Sequence, residues 1–276
     1  MEKSLKITDK IRTMTLEEKI GQLNQVCFSD STQLKEEIRK GRVGSVILAD
    51  TATAGNDEQQ KIRLDLLNEL QRIAIEESPT GIPLIFGRDV IHGHHTVMPI
   101  PLAAAAGFDV EVIQQAYRAV AEEAAKEGVH WTFSPMIDIA HDPRWGRCIE
   151  GFGEDPYLTS KMGQAVIHGF QGEDNKKTGS VAACAKHYLG YGAVEGGRDY
   201  GKAEISDYTL RNYYLKPFKA AIEADVATVV ELKGNHGVTA VKVMFVSAYY
   251  GKITVKYVQN GILTDLISFA EYEVNA

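Results

Sequence analysis

The sequence predicts an α/β fold of the TIM-barrel-like (β/α) type, with the barrel incomplete, and three observations carry that expectation. Short apolar, β-prone stretches alternate with segments of helical period, at intervals that demand parallel pairing through right-handed crossovers. Polar and charged residues gather where those stretches stop, the strand ends on which barrels carry ligands. No glycine-rich nucleotide turn follows the first stretch, where an open doubly wound sheet, the alternative, most often shows one.

Thr15-Leu-Glu-Glu18 is a capping box opening a helix with Leu16, Ile20 and Leu23 at helical spacing. A short helix near Leu34–Lys40 and the turn Gly41–Gly44 lead into the first predicted strand, residues 45–49. Residues 56–77 place Ile62, Leu66, Leu70 and Ile73 on one helical stripe, and Pro79–Pro83 ends that helix before a strand at Leu84–Gly87. Asp109 can cap a long helix running to Gly128, with a strand at His130–Ile137 directly after it. Asp155-Pro156 supplies an N-cap followed by proline at the first helical position, for a helix to about Phe170. Gly179–Ala185 is the next strand, Ser206 caps a helix carrying Leu210, Tyr214, Phe218 and Ile222, and Val226–Val230 follows as a strand. The tail offers a strand at Val241–Val246 and an amphipathic helix near Leu263–Tyr272. That makes six strands where a closed barrel has eight, so pairing with another copy is one way to close the sheet.

Length and composition bound the function. With 276 residues, 44% of them hydrophobic, the chain has enough material for one large domain with a full core. A formal net charge of −7 argues against a nucleic-acid partner. The three cysteines, Cys27, Cys148 and Cys184, lie far apart, so free thiols are expected rather than a zinc knuckle or disulfide framework. No stretch has transmembrane length or the look of an export signal, which points to the cytoplasm or to a chain whose signal is absent.

Three strand ends carry the chemistry: Arg88, Asp89 and His92; the loop from Asp142 to Asp155; and Lys186-His187 through to Arg198-Asp199. Such a mixture suits a polyhydroxylated ligand, because carboxylates and cations grip hydroxyl pairs while the Trp145 indole covers the apolar side of a sugar ring. Plainer readings stand beside it. Asp142-Pro-Arg144 and Glu154-Asp155-Pro156 also fit an Asx turn and a helix cap, and Lys186-His187 a solvated rim pair. His92-Gly-His94 also fits a metal-dependent amidohydrolase, and Lys186 a Schiff-base aldolase, although neither has a second supporting motif. His92-Gly-His94-His95 also reads as a partly buried histidine surrounded by surface ones, the reading preferred for His94 and His95.

GRDVIHG (87–93), SPMIDIAHDPRWGRCIEGFGEDPYL (134–158) and AKHYLGYGAVEGGRDY (185–200) resemble glycoside hydrolase family 3, bacterial β-glucosidases in particular. MTLEEKIGQL (14–23), PLAAAAGFD (101–109) and TLRNYYLKPFKAAIEA (209–224) extend the resemblance from about residue 10 to residue 230. It implies that residues 1–276 form one domain like the family's N-terminal barrel, with 230–276 a rearranged tail. It also implies release of terminal glucose from β-glucosides with retention, needing no cofactor and no metal. By the resemblance Asp89, Arg147, Lys186 and His187 hold the sugar hydroxyls, while Arg144, Trp145, Glu154 and Arg198 shape the pocket.

Retention needs a carboxylate nucleophile and an acid/base. The family's nucleophile motif, an aspartate in a GFxVSDW-like strand end, has no counterpart after Val230. It reads as though a strand–helix unit were excised between Val230 and Glu231. The nearest substitute carboxylates are Asp89, Glu154, Glu195 and Asp199, whereas Asp207 is expected in the first turn of a helix. The acid/base usually comes from a following α/β domain, and no segment here resembles one. The expected partners are therefore a β-glucoside or glucose, with neither nucleic acid nor membrane. A catalytically inactive sugar-binding remnant is the alternative.

Overall fold

The computed structural model describes residues 9–28, 32–48, 64–172, 178–235, 238–245, 254–259 and 262–268. In chain order these form α1 (Leu16–Gln22), β1 (Gln25–Cys27), α2 (Thr32–Arg39), β2 (Ser45–Ile47), α3 (Leu64–Arg72) and β3 (Ile85–Arg88). Then come α4 (Pro101–Ala105), α5 (Val110–Lys126), β4 (Trp131–Thr132), α6 (Pro156–Gln171), β5 (Cys184–Tyr188), α7 (Asp207–Thr209) and α8 (Leu215–Glu223). The series closes with β6 (Thr228–Asn235), β7 (Val238–Phe245), β8 (Thr254–Gln259) and β9 (Ile262–Ser268). Two compact units result, one of residues 1–89 with 124–131, the other of 90–123 with 132–276. No helix among the described residues is long and apolar enough to cross a membrane.

In the first unit β1, β2 and β3 lie side by side and parallel, Val46 facing both Val26 and Phe86. Of the predicted stripes, Leu66, Leu70 and Ile73 are buried, whereas Leu16, Ile20 and Leu23 at α1 are exposed; α2 buries Leu34 and Ile38, and α3 also buries Leu67. The capping box at Thr15 is formed in both directions, Glu18 N–H to Thr15 Oγ1 at 3.2 Å and Thr15 N–H to Glu18 Oε2 at 2.7 Å. α3 continues through a π-helical turn, Ile73–Glu77, and residues 56–63 of the predicted helix lie outside the described residues. β1 is absent from the sequence reading because three residues are too few to show a period of two.

In the second unit Thr132–Ile137 runs parallel to the stretch that ends in β5. Thr132 N–H donates to Ala182 O, Cys184 N–H to Ser134 O, Lys186 N–H to Pro135 O and Ile137 N–H to Lys186 O. β5 in turn pairs parallel with β6, Cys184 facing Thr228. α6 starts as its sequence demands, with Asp155 Oδ1 accepting from Leu158 N–H at 2.6 Å and Pro156 at the first helical position. Its last residue, the buried Gln171, accepts from Ala183 and Ala227 N–H and donates to Asp225 O, tying the entries of β5 and β6 together. Asp109 caps α5 and Ser206 caps α7, which places Asp207 in a first helical turn.

β6 runs through Val230 and Glu231 and turns back into β7 antiparallel, Asn235 facing Val238 and Thr228 facing Phe245. One expectation fails in the tail. The helix expected at Leu263–Tyr272 is instead the strand β9, antiparallel to β8, with residues 269–272 outside the described ones. The apolar positions there fit either period, and β-branched residues favour the strand. Val246 of the predicted strand also lies outside the described residues.

Candidate active site

The site is built on the C-terminal ends of Thr132–Ile137 and β5, within the second unit. Asp138 follows the first of these and is buried to 1% side-chain exposure. Its Oδ2 accepts from the His187 backbone N–H at 2.9 Å and from His187 Nδ1 at 2.7 Å. Burial is the main influence on the His187 imidazole. With the charges of Lys186 and Arg147 it holds the pKa below the ordinary 6.5 against the pull of Asp138, so the ring is neutral at pH 7.

Beside this pair Arg147 forks onto Glu150, Nε to Oε1 at 2.6 Å and the Nη2 end to Oε2 at 2.8 Å. Burial pushes the Glu150 carboxyl up, but the Arg147 fork and the charge of Lys186 outweigh it and hold it below its ordinary value. The Arg147 guanidinium also lies 5.5 Å from the centre of the Tyr191 ring. That ring is the hub of the cluster, with His187 edge-on at 5.0 Å and Trp145 at 5.1 Å. Tyr191 Oη and Trp145 Nε1 both donate to Asp199 Oδ1, the latter at 2.9 Å. Two glycines permit this packing. A Cβ on Gly192 would stand 2.1 Å from Ile139 O, and one on Gly197, at φ +68°, only 2.6 Å from Trp145 N.

Arg147, Lys186, His187, Trp145 and Asp199 are thus brought together as the sequence suggests, but the part assigned to Trp145 changes. It is 0% exposed, packed with Met136 and Val194. No indole face is left to cover a sugar, and its work is to hold Asp199 and Tyr191. Arg144 is 73% exposed and closes the Asx turn on Asp142, its backbone N–H 2.9 Å from Oδ1 and its guanidinium forked onto the carboxylate. That arrangement keeps the Asp142 carboxyl down at about 2. The plainer reading of Asp142-Pro-Arg144 therefore holds for these two residues. Arg198 is exposed, as is Glu154, whose backbone oxygen accepts from Tyr213 Oη. Glu195 lines a separate cavity of about 400 Å³ with His141, Asp142 and Glu204.

Asp89 follows β3 in the first unit, half-buried. His92 Nδ1 engages Met98 O at 3.1 Å, and the buried His94 packs on the exposed His95 with ring centres 4.8 Å apart. Three members of the cluster escape the sequence reading: Asp138, Glu150 and Tyr191. The first two left signals, an aspartate inside the apolar run Met136–Ala140 and a glutamate three residues after Arg147.

Residues 15–233 match the Glycosyl hydrolase family 3 N terminal domain. The chain is 38% identical over 238 residues to a periplasmic β-glucosidase of Salmonella typhimurium, covering 85% of this chain and 30% of that protein. It is 34% identical over 233 residues to a lysosomal β-glucosidase of Dictyostelium discoideum, covering 76% and 28%. Among solved structures, a Listeria innocua β-glucosidase in complex with isofagomine superposes with a TM-score of 0.71 at 36% identity, covering 82% of this chain and 31% of that one. An exo-1,3/1,4-β-glucanase from a Pseudoalteromonas species gives 0.74 at 29% identity, covering 82% and 30%. The chain therefore spans about a third or less of each of these four proteins. Likeness of this degree shows the fold as α/β and TIM-barrel-like.

Proposed function

The chain belongs to glycosyl hydrolase family 3, and on that premise we propose that it holds the terminal glucose of a β-glucoside for hydrolysis that releases glucose. The observation that carries this reading is the cluster at the ends of Thr132–Ile137 and β5, where Arg147, Lys186 and His187 adjoin Glu150 and Tyr191. Cations that only donate, beside a neutral imidazole, meet hydroxyl groups that both donate and accept. Arg147 is preset by its fork on Glu150 and by the Tyr191 face, so little side-chain freedom is lost when a sugar arrives.

The reading is supported by relatives named β-glucosidase and by a solved Listeria innocua β-glucosidase in complex with glucose, 36% identical to this chain. We take residues 1–276 as a single domain of the family's N-terminal type, with the tail from residue 230 rearranged. Retention requires two carboxyl groups about 5–5.5 Å apart across the scissile bond. Asp138, Glu150 and Asp199 each serve a neighbouring side chain, which makes them holders of the subsite rather than attacking groups.

The test is hydrolysis of an aryl β-glucoside by the purified chain, beside Arg147→Ala, with the melting temperature of both followed against glucose. Glucose is expected to raise the melting temperature of the wild type and not of the variant, and any hydrolysis to vanish with Arg147. A wild-type chain that neither hydrolyses the glucoside nor responds to glucose defeats the reading.

A further inference from the structure

We propose that Asp138 is a positioning residue of the sugar subsite, fixing His187 as the Nδ1–H tautomer so that Nε2 meets a ligand hydroxyl as a hydrogen-bond acceptor. The proposal rests on the reading of Lys186-His187 as sugar-holding and adds the direction of one hydrogen bond to it.

Asp138 Oδ2 receives two bonds from one residue, the backbone N–H and the ring Nδ1 of His187, at 2.9 and 2.7 Å. A carboxylate only accepts, so the ring proton facing it sits on Nδ1 and the lone pair of the neutral ring is left on Nε2. Two anchor points on one oxygen fix the peptide and the imidazole plane together. The edge-on Tyr191 ring, 5.0 Å away, supports the same orientation. Nε2 has no hydrogen-bond partner among the described residues.

The other Asp138 oxygen shows that the carboxylate is there for this contact. Oδ1 is buried and has no hydrogen-bond partner among the described residues. Leaving a carboxylate oxygen bare in the interior is costly, and an apolar side chain of the same size fills the space without that cost. Packing alone therefore does not account for Asp138, whereas the orientation of His187 does.

A chemical selectivity follows. Lys186 and Arg147 carry only donors, so His187 is the acceptor among the three. A hydroxyl bridging them accepts a hydrogen bond from a cation and donates its own O–H to Nε2. The group selected is therefore a true hydroxyl; a fluorine or ether oxygen in its place accepts but cannot donate.

Nitrogen-15 NMR of the full histidine-labelled chain, with His187 assigned through His187→Gln, reads the tautomer directly. Calorimetry with glucose and its monodeoxyfluoro analogues reads the consequence. His187 is expected to show a protonated Nδ1 and a bare Nε2. One fluoro analogue is expected to bind at least about tenfold more weakly than glucose, and Asp138→Ala to lose at least about tenfold in glucose affinity together with that discrimination. Asp138→Asn keeps the volume and a carbonyl acceptor and serves where the alanine variant does not fold; it should fall between the two, with both tautomers present. A wild-type ring protonated on Nε2, or a folded Asp138 variant with unchanged affinity and discrimination, overturns the proposal. A wild type with the Nδ1–H ring that binds no glucose overturns the sugar-holding reading and the ligand step with it, and the tautomer tells that failure from the other.

Discussion

Trp145→Phe separates a sugar platform from a structural brace. The phenyl ring retains the edge-on contact with Tyr191 but removes the Nε1 donor to Asp199 and about 40 Å³ of buried volume, a cavity worth about 1 kcal/mol at about 24 cal/mol per Å³. A hydrogen bond to a charged acceptor contributes about 1.5–3 kcal/mol when buried, and because water reaches Asp199 about 1 kcal/mol is the fitting share. The sum, about 2 kcal/mol, lowers the melting temperature by about 4–8 °C for a chain of this size. Glucose affinity should change by less than about threefold, since the indole has no exposed face to lose. Urea unfolding and calorimetry on the same preparation measure both quantities. Unchanged stability with affinity reduced more than about tenfold would refute the buried-brace account and restore the indole as a sugar contact.

Arg147→Lys replaces a fork by a single point charge, and glucose affinity should fall at least about tenfold by calorimetry; a change under about twofold contradicts the assigned role. Gly192→Ala drives a methyl against Ile139 O, and urea unfolding should show a loss of about 2–4 kcal/mol, whereas a neutral result would mean the two loops are not packed as described. Stability should also fall as the pH drops below about 6.5. His187 and His130, both lowered by burial, stay neutral in the folded chain while the unfolded chain takes up protons. Their contribution is complete above the unfolded value and is lost as the pH falls toward the lowered folded values. Melting temperatures from pH 7.5 to 5 read this, and His187→Gln should flatten the slope.

Local chemistry is what the sequence displays most openly. Thr15, Asp109, Asp155 and Ser206 cap the helices expected of them, because a cap is decided by one side chain and backbone three residues away. The polar clusters fall at strand ends as expected, and Arg147, Lys186 and His187 do meet. Asp138 escapes notice because its partner is 49 residues away, and nothing near Met136–Ala140 reveals that a histidine will lie against it. Trp145 misleads for a related reason: an indole suits a sugar face and a core equally, and only the packing of Val194 and Met136 around it decides. At Leu263 the period of the apolar residues is ambiguous over so short a stretch, and the strand prevails.

The antiparallel return of β7 sets a condition on any closure of the sheet. β7 occupies the row of backbone groups along β6 from Thr228 to Asn235, pairing at every position. A next parallel strand, the sort that would bring a further carboxylate to the C-terminal edge, needs the same row. Hairpin and successor are rival tenants of one edge. A molecule that completes the parallel series beside β6 must first peel β7 away, so such a neighbour and the hairpin described here exclude one another.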